Sequence, residues 1–513
     1  RNGRDPSPSD PRFHQQMIYA VCSTVYAAFR SALGRHIAWG FTPSGASEDG
    51  AHRLRLRPHA RHERNAYYDK EQGELCFGYY RADREVAGRN LPGSRVFTCL
   101  SHDIIAHEVT HALLDGLRTQ FTMPTGADVL AFHEAFADLV AIFQHFSYEK
   151  VLQSAIRKAR GNLRDASMLT DIARQFGHTT GQGRALRSAV NDFDKTGKPK
   201  IYGADDEAHD LGSVLVSAIF EAFETIFKRK TDRYIKLATN GSGVLPPGDP
   251  SPDLLSVLAD EASKLASQVL SICIRAIDYC PPIDLEFGEF LRAVITADYN
   301  LVPDDPWGYR EALIDAFRKR QIYPRNVDSF SEDALLWRAP MSAVPDIEDL
   351  SFGILKFEGD PGRPSGQDEL RRQACALGRI VSDPQYLRSF GFARRGDPRL
   401  GKDAIDLPCV QSIRSSRRAG PDGQVVFDLV AEVTQRRTVL DPDGKPDFDF
   451  YGGATVTLGP GGEVRYSISK SVLNEERLKR QKAFVYSEAG SRYWTSREGR
   501  MSPESQLFRL LHS

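Results

Sequence analysis

The sequence predicts an α+β chain, and three observations predict it. Apolar residues recur at helical spacing across most of residues 15–320, short alternating stretches lie between Leu54 and Tyr79, and longer alternating runs return after residue 425. At 513 residues the chain exceeds what one hydrophobic core normally supports, so more than one domain is expected. With 67 basic against 68 acidic residues the net charge is -1, which lacks the basic excess of a nucleic-acid binder. No apolar run reaches the roughly 20 residues that a membrane-spanning helix needs.

The elements follow in order. Residues 1–14 are polar and rich in Pro and Ser, and read as a flexible segment rather than a signal peptide. Ile18, Val21, Val25, Phe29 and Leu33 mark an amphipathic helix from Gln15 to Trp39. Leu54–Arg57, Asn65–Tyr68 and Leu75–Tyr79 alternate as short strands, the last two separated by a turn over Asp69–Gly73. Asp103–Leu117 and Val129–His145 read as helices joined through a Met123–Gly126 turn. Further helices are expected at Val151–Lys158, Gly212–Phe227, Leu254–Ile277, Phe287–Tyr299 and Trp307–Arg320, with Asn240–Asp253 as a Gly/Pro-rich loop. These spans divide into an N-terminal lobe over 15–126 and a helical lobe over 127–324. A linker over 325–340 leads to an α+β module over 341–513, with strands at Val425–Leu440 and Tyr451–Leu458 and turns at Asp441–Gly444 and Gly459–Gly462. Phe220, Phe223 and Phe227 read as core, and the clusters Arg414–Arg418 and Arg477–Lys482 as solvated faces.

Seven cysteines, odd in number and never in a Cys-x-x-Cys pair, fit reduced and mostly buried thiols. They lean towards a cytoplasmic setting. The chain begins with Arg rather than Met, so removal of a leader would make it secreted instead.

One motif carries chemistry. His107-Glu108-Val109-Thr110-His111 sits inside an apolar helical stretch. Histidines at i and i+4 share one helix face, so both imidazoles can reach a single zinc, while Glu108 falls near the open position and can move a proton there. A catalytic zinc needs a third protein ligand. Glu134, in the run His133-Glu134-Ala135-Phe136-Ala137-Asp138, is placed to be that ligand from a neighbouring antiparallel helix. His133 faces about 100° away and ranks behind it. Asp138, one turn on, can hold the second ring nitrogen of a ligating histidine.

Together these residues resemble the thermolysin family of glutamate-type zinc peptidases. The run Asp103–Asp115 follows that family's active-site helix, and the resemblance extends over about residues 15–324. It implies a small β-rich lobe carrying the active-site helix, a mainly helical second lobe, one zinc ion, and a peptide or protein substrate. It further implies that Asn65, Ala66 and Tyr67 form the edge strand that grips substrate, and that Arg187 binds a substrate carbonyl. His209 would then donate to the oxyanion, oriented by Asp205 or Asp206, and Asp115 would join Asp138 behind the metal ligands. Several positions depart from the pattern: His133 and Ala137 replace the usual Asn and Ser, and no tyrosine lies between Asp115 and Glu134 to partner His209. Arg157, Lys158, Arg160 and Arg164 stand where calcium-binding carboxylates are usual, so structural calcium is not expected. The expected activity is a metalloendopeptidase. A zinc aminopeptidase needs an acidic amine-capturing strand before the helix, which is not found, and a catalytically impaired binding module would not need Glu108. Substrate preference, oligomeric state and the role of residues 341–513 are not encoded in any motif.

Overall fold

The computed structural model describes residues 3–41, 53–85, 90–158, 199–203, 207–245, 250–340, 344–357, 359–420 and 423–512. Helix makes up 46% and strand 17%, and the sheets are antiparallel apart from one parallel pair, which gives the α+β class expected from the sequence.

Helix α1 (Pro11–Leu33) starts where Asp10 accepts from the Arg12 N–H and a proline fills the first turn. It stops at Gly34, whose φ of 63° is left-handed and whose missing side chain admits the Arg417 carbonyl; a Cβ there would lie 1.6 Å from that oxygen. The sequence reading ran this helix from Gln15 to Trp39 and left residues 1–14 as a flexible segment; the Asp10 cap starts it at Pro11, with His14 buried, and the glycine stop shortens its far end. Strands β1 (Arg55–Arg57), β2 (Ala66–Asp69) and β3 (Glu74–Phe77) form a small sheet with β3 in the middle, parallel to β1 and antiparallel to β2. Strand β2 is therefore an outer strand. The expected run Leu75–Tyr79 is split at Gly78, whose N–H turns to the Asn65 carbonyl. The chain then continues as β4 (Tyr79–Arg81), paired with β5 (Arg95–Phe97).

Helix α2 (His102–Leu117) is capped by Ser101, which accepts from the Ile104 N–H. After a tight turn, α3 (Ala127–His145) runs back along it, since His107 meets Asp138 while His111 meets His133. Both helices are buried almost all round, which places them at the centre of the molecule rather than on its surface. Around them lie α4 (Glu149–Lys158), α5 (Ala208–Ala238), α6 (Pro252–Ala276), α7 (Phe287–Tyr299) and α8 (Tyr309–Lys319). Helix α5 overruns the expected Gly212–Phe227 at both ends. Glu207 caps it early, and its far half is a charged surface stretch with no apolar stripe to read. Phe220, Phe223 and Phe227 are core.

After the short α9 (Glu332–Leu335) and α10 (Gln367–Ser382) comes a five-stranded antiparallel sheet of β6 (Ala404–Ile405), β7 (Cys409–Ala419), β8 (Val425–Leu440), β9 (Pro446–Leu458) and β10 (Val464–Lys470). Gly444 and Gly462 turn the two hairpins in the left-handed region, at the Asp-Gly and Gly-Gly positions expected. Leu429, Ala431 and Val433 on β8 pack with Leu377 and Val381 of α10. Val439, Phe448 and Phe450, at the far end of the same hairpin, join the core that contains α2 and α3. Last come α11 (Glu475–Val485), the ribbon β11 (Trp494–Arg497) with β12 (Arg500–Pro503), and α12 (Leu507–Leu511), which lies against β2.

The arginine clusters correct the sequence reading in part: Arg417, Lys479, Arg480 and Lys482 are exposed as expected, while Arg414, Arg418 and Arg477 turn inward. Arg418 is buried and paired with Asp428, Arg414 donates to the Leu117 carbonyl at 2.9 Å, and Arg477 is buried 3.0 Å from Asp284. Alternation of charge along a strand looks like a wet face, but here the partners are a carboxylate on the paired strand and carboxylates and carbonyls from other elements. Five thiols are buried, Cys375 and Cys409 are exposed, and all seven are free. Among the described residues, no helix is long and apolar enough to cross a membrane.

Candidate metal centre

Four side chains from three elements converge beside α2. His107 and His111 project from α2 with their Nε2 atoms 3.1 Å apart. Glu134 of α3 places Oε2 at 3.3 Å from His107 Nε2 and Oε1 at 3.5 Å from His111 Nε2. The fourth is His512, just beyond α12, whose Nε2 lies 3.3 Å from Glu134 Oε2. Donors bound at about 2.0–2.1 Å to a tetrahedral zinc stand about 3.3–3.4 Å from one another. The four measured separations bracket that spacing.

The chemistry of the donors fits a divalent cation as well as their spacing does. Two imidazole nitrogens face each other at 3.1 Å, and Glu134 Oε1 is buried without a hydrogen-bond partner. A cation satisfies all of them at once. Nitrogen and carboxylate donors together suit zinc rather than calcium.

Each ring is oriented from behind. His107 Nδ1–H donates to Asp138 Oδ1 at 2.9 Å, which leaves Nε2 as the lone-pair atom. His111 Nδ1 lies 3.3 Å from His133 Nδ1. His133, passed over as a ligand, thus stands behind one, at the position that departs from the peptidase pattern. Burial pushes His133 down to about 4 and holds His111 well below the ordinary imidazole range, so both rings are neutral, the form a metal ligand must take. Burial also lowers His107, but the Asp138 hydrogen bond and the nearby carboxylate of Glu134 outweigh it and raise the ring. Burial works against ionisation of Glu134, yet the ring of His512 beside it outweighs burial and keeps its carboxyl well below the usual range.

Glu108 lies beside this group, with Oε1 3.3 Å from His512 Nδ1 and Oε2 buried without a partner. Burial raises its carboxyl above the ordinary value, towards the range a general base needs. His209, at the start of α5, sets Nε2 3.4 Å from Glu134 Oε2 and Nδ1 3.1 Å from Glu207 Oε1. Burial lowers that ring, but the Glu207 hydrogen bond and the charge of Glu134 bring it above its usual value. Its orienting carboxylate is therefore Glu207, while the expected Asp205 and Asp206 lie outside the described residues, as does Arg187. Glu207 was legible in principle, as an acidic helix cap two residues before a histidine.

Of the remaining expected residues, Ala66 and Tyr67 open the outer strand β2 and Asn65 precedes it, beside the candidate metal group, with Asn65 Oδ1 buried without a partner. Asp115 corrects the expectation of a residue behind a metal ligand. It accepts from Tyr68 Oη at 2.9 Å and Lys70 Nζ at 2.6 Å, because β2 crosses α2 at that turn, and so it fixes the strand rather than a histidine. Asp103 is grouped with the imidazoles of His102 and His145. The site residue that sequence reasoning missed outright is His512, which sits 378 residues from Glu134 with no spacing signal to link them. No family model matches this chain, and neither a curated protein nor a solved structure matches it.

Proposed function

We propose that this chain is a zinc-dependent, thermolysin-like metalloendopeptidase in which Glu108 acts as general base and then general acid. The observation that carries the reading is the convergence of His107, His111 and Glu134 at tetrahedral spacing, with a buried, partnerless carboxylate oxygen of Glu108 alongside. Bound there, zinc supplies Lewis-acid polarisation of a peptide carbonyl and lowers the pKa of water.

The protein's own groups do the rest. An extended peptide adds to the outer edge of β2, where the Ala66 carbonyl and the Asn65 side-chain oxygen offer acceptors to its backbone. Glu108, raised by burial, takes a proton from the attacking water and returns it to the departing amine. Against burial, Glu207 and Glu134 hold the His209 ring above its usual value, which favours its protonated form. Glu207 holds Nδ1–H, and Nε2–H is left to stabilise the oxyanion, a contribution commonly worth about 3 kcal/mol of barrier.

The test is Glu108→Gln, assayed for bound zinc and for hydrolysis of a fluorogenic peptide set. The expected variant keeps one zinc per chain and loses hydrolysis by at least about a hundredfold. Hydrolysis at the wild-type rate in the variant, or a wild-type chain that takes up no zinc, overturns the proposal.

A further inference from the structure

The place where a water molecule and the scissile carbonyl would have to sit is filled by the chain itself. His512 reaches it from α12 and makes three contacts with the catalytic group. Its Nε2 stands 3.3 Å from Glu134 Oε2, its Nδ1 stands 3.0 Å from the Ala66 carbonyl oxygen, and the same Nδ1 lies 3.3 Å from Glu108 Oε1. The Ala66 carbonyl accepts from Nδ1–H, and Nε2, facing Glu134, becomes a lone-pair donor when a cation takes the place of its proton. Its ring also lies 5.3 Å from that of His107 and 5.5 Å from that of His111.

The rest of the segment behaves as a peptide seated in the cleft. Phe508 packs 4.6 Å from the His111 ring, 5.2 Å from His133 and 5.6 Å from Tyr68. Arg509 lies 5.6 Å over the Tyr67 ring and 3.6 Å from Glu63. Leu507, Phe508 and Leu511 are buried, while a cavity of about 470 Å³, bordered by Tyr67–Glu71 and by residues 503–509, persists between the strand and the segment. The segment thus anchors at three apolar points without filling the groove.

We propose that residues 503–512 are an internal occupant of the substrate cleft and that His512 supplies a fourth metal ligand, so that the chain as described is a latent peptidase. Opening exchanges one neutral nitrogen donor for one water molecule, with no proton or electron transferred, and at the same time frees the Ala66 carbonyl and Glu108. This inference rests on the peptidase reading, and the experiment separates the two.

Zinc-loaded wild type, His512→Ala and Phe508→Asp are compared by X-ray absorption at the zinc edge and by hydrolysis of the same fluorogenic peptides. Phe508→Asp releases the segment by placing a charge against His111 and Tyr68, and leaves the His512 side chain intact. The expected result is three imidazoles on zinc in wild type and two in both variants, with hydrolysis at least tenfold faster in the variants. Two imidazoles in wild type, with rates unchanged in both variants, overturns latency and leaves the peptidase reading standing. Three imidazoles without a gain in hydrolysis in either variant also overturns latency. A wild-type chain that takes up no zinc sinks the peptidase reading, and latency with it.

Discussion

Replacing Asp138 tests whether the residues behind the donors set metal affinity. Its Oδ1 accepts from His107 Nδ1 at 2.9 Å, and both groups are shielded from water. With alanine the Nδ1–H has no acceptor, and the ring is released to the tautomer that carries its proton on Nε2, which cannot ligate. A hydrogen bond to a charged group contributes roughly 1.5–3 kcal/mol, so Asp138→Ala should weaken zinc binding by roughly 10- to 150-fold. Asparagine keeps a neutral acceptor at the same place. The loss there is the difference between a charged and a neutral bond, about 1 kcal/mol or fivefold. The assay is competition for zinc against a chromophoric chelator at fixed pH, with circular dichroism confirming the helices. Affinities of both variants within twofold of wild type would show that Asp138 does not orient His107, and the account of the donor set would fail at that point.

Two further outcomes follow from packing and burial. Gly212 lies one turn after His209 and lets α5 touch α3, where a Cβ would meet the Ala131 carbonyl at 2.9 Å and Ala135 at 3.5 Å. Gly212→Val should move His209 off Glu134, so that kcat falls more than about tenfold while zinc affinity holds within about threefold, a pattern read by steady-state kinetics beside chelator competition. Asp128 concerns stability alone. Burial pushes its carboxyl up to about 6, against bonds from the Phe287 N–H and the Tyr202 hydroxyl. A folded pKa above the unfolded value of about 3.9 means that its favourable contribution is complete below pH 4 and is lost as pH rises through 6. Asp128→Asn removes that titration, so the stability of wild type relative to the variant should fall by roughly 2–3 kcal/mol between pH 4 and pH 7.5, measured by urea unfolding at both pH values. A constant difference across that range would refute the assignment.

What could be read from the sequence follows the range of the interactions. The pair His107 and His111 is set by helix geometry four residues apart, and Glu134 by a short connection between antiparallel helices, so local periodicity sufficed for both. Boundaries failed where one residue decides them: Gly34 ends α1 early and Gly78 splits a strand, and each does so through a carbonyl from elsewhere in the chain. The role of Asp115 could not be read because it depends on where β2 crosses α2, which the motif does not encode. The arginines of β7 and α11 misled for the same reason. A charged residue signals solvent only when no buried partner is waiting; Asp284 is far from Arg477 in sequence, and Asp428 meets Arg418 only through the register of the β7–β8 hairpin.

Those buried charges explain how a sheet at one end of the chain bears on a metal group at the other. The far end of α2 is held by the sheet and the turn after α6. Arg414 of β7 donates to the Leu117 carbonyl, and Arg118 donates to the Ile277 carbonyl at 2.7 Å while lying 3.9 Å from Glu432 of β8. The same turn is tied to the end of α1 by Arg35, which grips Asp278 with two bonds of 2.6 and 2.7 Å, and to β9 by Thr455 on the Cys280 carbonyl. A helix end normally leaves carbonyls without partners, and a charged donor there also complements the helix dipole. Fixing that end restrains the rotation of α2 about its axis. Such rotation would swing His107 and His111 together away from Glu134, and donors held to within about 0.5 Å need that restraint. The sheet beyond residue 404 therefore supports the candidate metal group mechanically, through the helix that carries two of its proposed ligands.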